Sequence, residues 1–129
     1  MPTVPSTVPA WVQALSITLF ILAWLFSLWA LVSNEYFETS VRIQEDRSHK
    51  TVTGGPYAIV RHPGYVGVIL VYATTPPFLG SWWGLIPSAV LTLGFILRTA
   101  WEDRTLLEEL PDYPAYARKV RYRLLPGVW

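Results

Sequence analysis

The chain of 129 residues is long enough for a single domain, residues 1–129, and only 15% of it is charged, well below the roughly 25% of an ordinary soluble domain. The formal net charge of +1 argues against binding of nucleic acid through bulk electrostatics. Because the chain contains no cysteine, disulfide frameworks, cysteine metal clusters and thiol nucleophiles are excluded.

The charged residues are confined to two parts of the chain. Residues 1–34 and 62–97 contain no Asp, Glu, Lys or Arg, so every charged side chain lies in 35–61 or 98–123. A soluble fold distributes charge over each exposed helix face. Two long uncharged blocks therefore indicate an all-α integral membrane protein.

The first uncharged block contains an apolar run over residues 11–33. As a helix this run would be about 34 Å long, enough to cross a hydrocarbon core of about 30 Å. A cleavable signal peptide has a basic start and a shorter apolar part. We therefore expect a retained transmembrane helix.

The second block, residues 62–97, is too long for one crossing, since a straight helix of that length would measure about 54 Å. Helix breakers and turn formers lie in its middle: Pro76, Pro77, Gly80 and Ser81. We predict a helical hairpin with spans over about 63–79 and 82–100, its first helix ending near Thr75. Together with 11–33 this makes three transmembrane helices.

The basic residues predict the topology. All ten Lys and Arg lie in the two segments that flank the hairpin, and with three spans both segments fall on one side. The positive-inside rule places that side in the cytoplasm and the N-terminus outside, in a multi-pass protein of an inner cell membrane. A two-span arrangement with the second block on the surface also fits the charges, but that block has no polar face for water.

Chemistry is expected in the cytoplasmic segments, over about 42–67 and 98–126. The last helix should continue past the membrane to about Leu110, where a proline stops it. Residues 112–123 could form a short basic helix with Pro114 in its first turn. Its cations would lie against anionic lipid headgroups.

One group of residues could bind a ligand beside the start of the hairpin: His49, Tyr57, His62 and Tyr65. His62 precedes Pro63, so a helix can begin at Pro63 with the N–H groups of Gly64 and Tyr65 exposed at its N-terminus. Such a site suits a carboxylate or phosphate, and tyrosine rings suit a heterocycle or a cation. Alternatively, these residues are only interfacial anchors.

A second group lies on the last helix, where Arg98 and Glu102 are four residues apart and share one face. They could form a simple ion pair. Arg98, however, ends the uncharged block, and ionisable groups at that depth usually face a cavity or a ligand. We expect Asp103, Glu108 and Glu109 to form a solvated face. Two isolated histidines do not predict a metal site.

Three stretches together resemble the isoprenylcysteine carboxyl methyltransferase family and are similar to its phospholipid methyltransferase relatives: GGPYAIVRHPGYVG, the pattern R-x3-E-D-x2-L and DYPAYARKVRYRLLPG. The resemblance covers about residues 42–127. It implies methyl transfer from S-adenosylmethionine to an isoprenylcysteine-like or other lipophilic carboxylate, in contact with membrane lipid.

The resemblance also implies roles for individual residues. Arg98 would hold the substrate carboxylate, and Glu102 would hold the amino group of the cofactor's methionine. Further cofactor contacts would come from His49, Lys50, Thr51, Val52, Tyr57, His62, Pro63, Gly64 and Tyr65.

The sequence departs from the family pattern at Asp103, which is usually Glu, and at Leu110-Pro111, which replaces Phe-Gly. It also has fewer N-terminal spans than larger members. Three functions stay open: carboxyl methylation, amine or phospholipid methylation on the same scaffold, and a catalytically silent membrane protein. The oligomeric state is open as well.

Overall fold

The computed structural model describes residues 7–34 and 50–129 of the chain. In chain order its elements are α1 (Ala10–Ser33), a 3-10 turn (Gly55–Ala58), α2 (Pro63–Phe78), α3 (Leu85–Glu109) and α4 (Tyr113–Lys119). Every regular element within these ranges is helical, so the all-α prediction is confirmed for this part of the chain.

Helices α1 and α3, of 24 and 25 residues, are each long and apolar enough to cross a membrane. Their outer faces expose large apolar side chains, with Trp11 at 70% and Val90 at 67% exposure. Monomeric soluble proteins rarely expose apolar surfaces of this extent, whereas lipid covers them in a membrane. The first predicted span, 11–33, is thus observed as a helix with the composition expected of a span.

Helix α2 has 16 residues and a length of about 24 Å, less than the usual hydrocarbon thickness of about 30 Å. It continues past Thr75 to Phe78, so the expected end at Thr75 is three residues too early. Pro76 cannot donate to the Tyr72 carbonyl one turn earlier. The Ser88 hydroxyl on α3 donates to that carbonyl instead, at 2.7 Å.

The hairpin turns immediately after α2. Gly80 has a φ of 83°, and its N–H donates to the Pro77 carbonyl at 3.0 Å while the Ser81 N–H donates to the Pro76 carbonyl at 2.9 Å. This pair of bonds is the Schellman motif, which requires a left-handed residue after the helix. Residues 81–84 stay in the turn, so the second hairpin helix begins at Leu85 and not at 82.

Helices α1 and α2 pack closely at Gly67. A Cβ atom at this position would lie 1.9 Å from Ser27 Oγ and 3.2 Å from the Ala23 carbonyl oxygen. Because glycine has no Cβ, the two backbones can approach to this distance. Helix α2 also contacts α3, so it joins the two long helices α1 and α3.

The C-terminal part folds back onto the start of α2. Helix α3 ends at Glu109, within one residue of the expected position, and α4 covers a shorter range than the predicted 112–123. After α4 the chain pairs with residues 61 and 62. The Arg61 N–H donates to the Tyr122 carbonyl, and the His62 N–H to the Arg123 carbonyl, both at 2.9 Å.

Candidate functional site

An aromatic cluster joins the end of α1, the 3-10 turn and α4. Its buried members are Ala30, Tyr57, Leu110, Tyr113 and Tyr116, with Val52 packed against them. The Tyr116 hydroxyl donates to the Tyr57 carbonyl at 2.5 Å. Asn34 Nδ2 donates to the Tyr57 hydroxyl at 2.9 Å. Tyr57 and Val52, both implied cofactor contacts, are therefore parts of this packed cluster.

The tyrosines of this cluster remain neutral at physiological pH. Burial raises the pKa of Tyr57, Tyr113 and Tyr116 above the usual value of 10.0. The Asp103 carboxylate raises the pKa of Tyr113 further, and the Glu102 carboxylate adds to the rise at Tyr57.

A buried polar cluster centres on Asp103, whose exposure is only 1%. Its Oδ1 accepts from the Tyr113 hydroxyl at 2.6 Å and lies 3.0 Å from His62 Nε2. Its Oδ2 accepts from Arg61 at 2.8 Å and from Arg123 at 3.1 Å. The expectation that Asp103 lies on a solvated face is wrong, because Tyr113 of α4 and Arg123 of the returning segment cover this side of α3. Together with Arg61, Arg123 supplies the cationic partners of the carboxylate.

The other acidic residues nearby behave as expected. Glu108 and Glu109 are exposed, and Glu108 pairs with Arg104 at 3.1 Å on the outer face of α3. Both side chains of this pair are more than half exposed. A pair of this kind contributes little to stability.

Arg98 and Glu102 are joined through Tyr65. The Tyr65 hydroxyl accepts from Arg98 Nε at 2.8 Å and donates to Glu102 Oε2. The Arg98 guanidinium lies 5.8 Å from the Tyr65 ring centroid, and the His62 ring is nearly parallel to that ring at 6.0 Å. All three side chains of this Arg98–Tyr65–Glu102 group are half-buried. The group thus holds a cation and an anion on the two sides of one hydroxyl.

The N-terminus of α2 differs in one respect from the expectation. The helix begins at Pro63, as predicted, and His62 is its N-cap. The Tyr65 N–H, however, donates to the His62 carbonyl at 3.2 Å. It is therefore not available to an anion, because the first turn of the helix closes on the carbonyl of the residue before it.

The remaining implied cofactor residues differ in their contacts and exposure. Thr51 contacts Asp112 twice, with its N–H donating to Oδ2 at 2.9 Å and its hydroxyl to Oδ1 at 2.7 Å. Lys50 is exposed and Pro63 is buried. His49 and the rest of the expected catalytic segment before residue 50 lie outside the described residues.

Gly64 lies in an apolar groove between α1 and α2, open to the surroundings and about 120 Å³ in volume. The other lining residues are Trp24, Ser27, Leu28, Leu31 and Val68. Gly64, one of the lining residues of the groove, directly precedes Tyr65 of the Arg98–Tyr65–Glu102 group in the sequence.

Several residues of these clusters were not expected from the sequence: Arg61, Asp103, Tyr113, Tyr116 and Arg123. One signal could have found the two tyrosines. They are three residues apart and so share a face of the last short helix. For Arg61 and Arg123 the sequence carries no comparable signal, because their partner is distant in the chain.

Comparison with known proteins gives the same family by a family match and by individual relatives. Residues 15–108 match the isoprenylcysteine carboxyl methyltransferase family. The chain is 28% identical over 113 residues to protein-S-isoprenylcysteine O-methyltransferase B of Arabidopsis thaliana. The aligned region covers 85% of this chain and 57% of that protein.

Two further relatives are similar over shorter stretches. Protein-S-isoprenylcysteine O-methyltransferase of Schizosaccharomyces pombe is 34% identical over 90 residues, or 68% of this chain and 38% of that protein. The cobalt-zinc-cadmium resistance protein CzcN of Cupriavidus metallidurans is 35% identical over 83 residues, or 57% of this chain and 34% of that protein. The chain thus spans 57% or less of each of these relatives. Since the family match extends over most of the chain and includes Tyr65, Arg98 and Glu102, the chain belongs to the isoprenylcysteine carboxyl methyltransferase family.

Proposed function

We propose that this chain transfers the methyl group of S-adenosylmethionine to the carboxylate of a lipophilic, isoprenylcysteine-like acceptor at the cytoplasmic face of a membrane. The Arg98–Tyr65–Glu102 group carries this proposal, because it offers a cation for an acceptor carboxylate beside an anion for a cofactor ammonium. Membership of the family and the names of two relatives support the reaction class.

The chemistry of Glu102 fits the amino group of S-adenosylmethionine. Tyr65 donates to Oε2 of the carboxylate, and a carboxylate has two oxygens with about four lone-pair sites, so it can accept further hydrogen bonds. A carboxylate oxygen accepts strong, charge-assisted hydrogen bonds from an ammonium group. The half-buried position strengthens such a bond relative to one in water. When bound, the cofactor supplies a methyl group on a sulfonium that is open to displacement.

Arg98 would orient the acceptor. A guanidinium binds a carboxylate with two parallel hydrogen bonds, and the bond from Nε to the Tyr65 hydroxyl fixes the plane of this guanidinium. A carboxylate is already deprotonated at pH 7, so the reaction needs no general base. Positioning and exclusion of water are then the contributions expected from the protein.

The support for the other implied cofactor contacts is uneven. Gly64 and Tyr65 lie in the first turn of α2, and Tyr65 contacts Glu102, whereas Tyr57 lies in the aromatic cluster. The side chain of His62 stacks on Tyr65 and also contacts Asp103 through Nε2, so we propose that it supports Tyr65. For residues 49–52 and Pro63, the proposal rests on the resemblance alone.

We further propose a three-span topology with the N-terminus outside and the C-terminus in the cytoplasm of the inner membrane. The one-sided distribution of Lys and Arg supports it. At about 24 Å, α2 would need a locally thinned bilayer or flanking residues that reach the interface. Its close packing against α1 at Gly67 supports a position beside a spanning helix.

The proposal is tested by binding of S-adenosylmethionine to Glu102→Gln in calorimetry. Removing the charge should weaken binding about 10- to 150-fold, since a hydrogen bond to a charged group contributes about 1.5–3 kcal/mol. Glu108→Gln, which changes an exposed carboxylate on the same helix, is the matched control and should bind normally. Unchanged affinity in Glu102→Gln would remove Glu102 from the site.

The acceptor class is tested separately. A farnesylcysteine analogue should be methylated, whereas phosphatidylethanolamine should not. An amine must lose a proton before it attacks, and the cation at Arg98 would disfavour an ammonium group beside it. Methylation of phosphatidylethanolamine alone would overturn the carboxylate assignment and leave the cofactor assignment intact.

A further inference from the structure

Asp103 ties three separate parts of the chain to α3. Two of its partners, Arg61 and His62, precede α2, while Tyr113 begins α4 and Arg123 lies in the returning segment. Each carboxylate oxygen has two of these partners. The position of the carboxylate, and of the groups that surround it, is therefore fixed from several directions at once.

Asp103 and Glu102 both contact the start of α2, Asp103 at the N-cap His62 and Glu102 at Tyr65 in the first turn. As neighbours on α3 their side chains leave the helix about 100° apart. Their partners, the N-cap His62 and Tyr65 of the first turn, are joined by the hydrogen bond from the Tyr65 N–H to the His62 carbonyl at 3.2 Å. The first turn is thus held at two points, and the two partner rings are 6.0 Å apart with an angle of 12° between them. A shift of His62 would move Tyr65 away from Glu102.

The negative charge of Asp103 also stabilises the start of α2, because it neutralises a buried cation there. Arg61 is only 7% exposed, and its Nε has no hydrogen-bond partner within the described residues. Its terminal nitrogens bind Asp103 at 2.8 Å and, more weakly, the Ala117 carbonyl at 3.4 Å. Without the Asp103 carboxylate, the buried Arg61 guanidinium would face Arg123 with no anion between the two cations. Loss of one partner of a buried charge pair is strongly unfavourable.

From this geometry we infer that Asp103 is a positioning residue of the proposed site. It fixes His62 and, through the first turn of α2, sets the contact between Tyr65 and Glu102. Asp103 would touch neither cofactor nor acceptor. The inference rests on the proposed function, because it assigns Asp103 an effect on cofactor binding that passes through Glu102.

The test is a double-mutant cycle on S-adenosylmethionine affinity, measured by calorimetry with Asp103→Asn, Glu102→Gln and the combined variant. Asp103→Asn alone should weaken binding about tenfold, within the range of coupling found between residues of one network. In the Glu102→Gln background the same change should have an effect of less than about twofold, because the contact that Asp103 positions is already weakened. Asp103→Glu, which keeps the charge, should recover part of the affinity.

The outcomes separate this inference from the proposed function. Equal effects of Asp103→Asn in both backgrounds would indicate a merely structural role and overturn the inference. If Asp103→Asn does not fold, Tyr113→Phe removes one bond to the carboxylate while keeping its charge, and the same cycle applies. Absence of binding by the unmodified chain would overturn the proposed function and this inference with it. If the unmodified chain binds S-adenosylmethionine and the effects of the two substitutions on affinity are additive, the inference alone is overturned.

Discussion

The contact between α1 and α2 at Gly67 predicts a specific loss of stability in Gly67→Ala. The new Cβ would lie 1.9 Å from Ser27 Oγ, 3.0 Å from Ser27 Cβ and 3.2 Å from the Ala23 carbonyl oxygen. Ser27 Oγ can rotate away only by breaking its own hydrogen bond to that carbonyl, at 2.9 Å. The backbone oxygen cannot rotate away at all. The two helices must therefore separate by several tenths of an ångström.

The expected magnitude follows from two opposing effects. Alanine is favoured over glycine inside a helix by roughly 0.5–1 kcal/mol. Overpacking of a well-packed contact costs about 1–3 kcal/mol, and loss of the Ser27 hydrogen bond a further ~1 kcal/mol. We expect Gly67→Ala to lower the free energy of unfolding by about 1–3 kcal/mol. Gly94→Ala on α3 is the matched control, because no heavy atom lies within 4 Å of its Cβ position.

Thermal unfolding in detergent micelles, followed by circular dichroism, measures the difference between the two variants. The helix propensity gained is the same in both, so their difference reports the packing cost alone. Ser27→Ala should recover part of the stability of Gly67→Ala by removing the hydroxyl. If Gly67→Ala is as stable as Gly94→Ala, the two helices do not pack as described.

Three further predictions concern the site, the topology and the aromatic cluster. Arg98→Lys keeps the charge but loses the paired hydrogen bonds of the guanidinium. Methylation of a prenylcysteine should therefore fall about 10- to 150-fold, with little change in cofactor affinity. Loss of cofactor binding instead would assign Arg98 to the cofactor pocket. Cysteines introduced at Thr7 and Arg121 test the topology with a membrane-impermeant thiol reagent. The cysteine at position 7 should be labelled from outside, and the cysteine at position 121 only from the cytoplasm. The reverse pattern would refute the topology. Tyr116→Phe leaves the buried Tyr57 carbonyl without its 2.5 Å partner and should cost about 1–3 kcal/mol in thermal unfolding, whereas an unchanged melting temperature would contradict this contact.

The sequence predicts the long helices well because their lengths depend on local patterns. The apolar run over 11–33 differs from α1 by one residue, and Pro111 limits α3 to Glu109. The start of α2 at Pro63 also follows from a local rule, since proline fits the first position of a helix. These features need no knowledge of distant residues.

The features that the sequence does not predict depend on contacts between distant residues. A proline taken alone indicates a break, but α2 passes through Pro76, and the Tyr72 carbonyl that loses its backbone donor accepts from a hydroxyl of α3. The burial of Asp103 depends on partners from before α2, from α4 and from the returning segment. In the sequence, Asp103 is one of several acidic residues near the end of the last long helix. The local pattern does not distinguish it from Glu102, the residue before it.

The hydrogen bond from Ser88 to the Tyr72 carbonyl has a consequence for biogenesis. Each unsatisfied backbone group in hydrocarbon costs several kcal/mol. In the proposed three-span arrangement, a lone α2 would bring this carbonyl into the bilayer without a donor, on a helix that is already short for a span. With α3 present, the serine supplies the donor from within the same hairpin. We therefore expect the two helices to leave the translocation machinery together, as a single inserting unit, and a nascent chain that ends after α2 to hold only its first helix in the membrane.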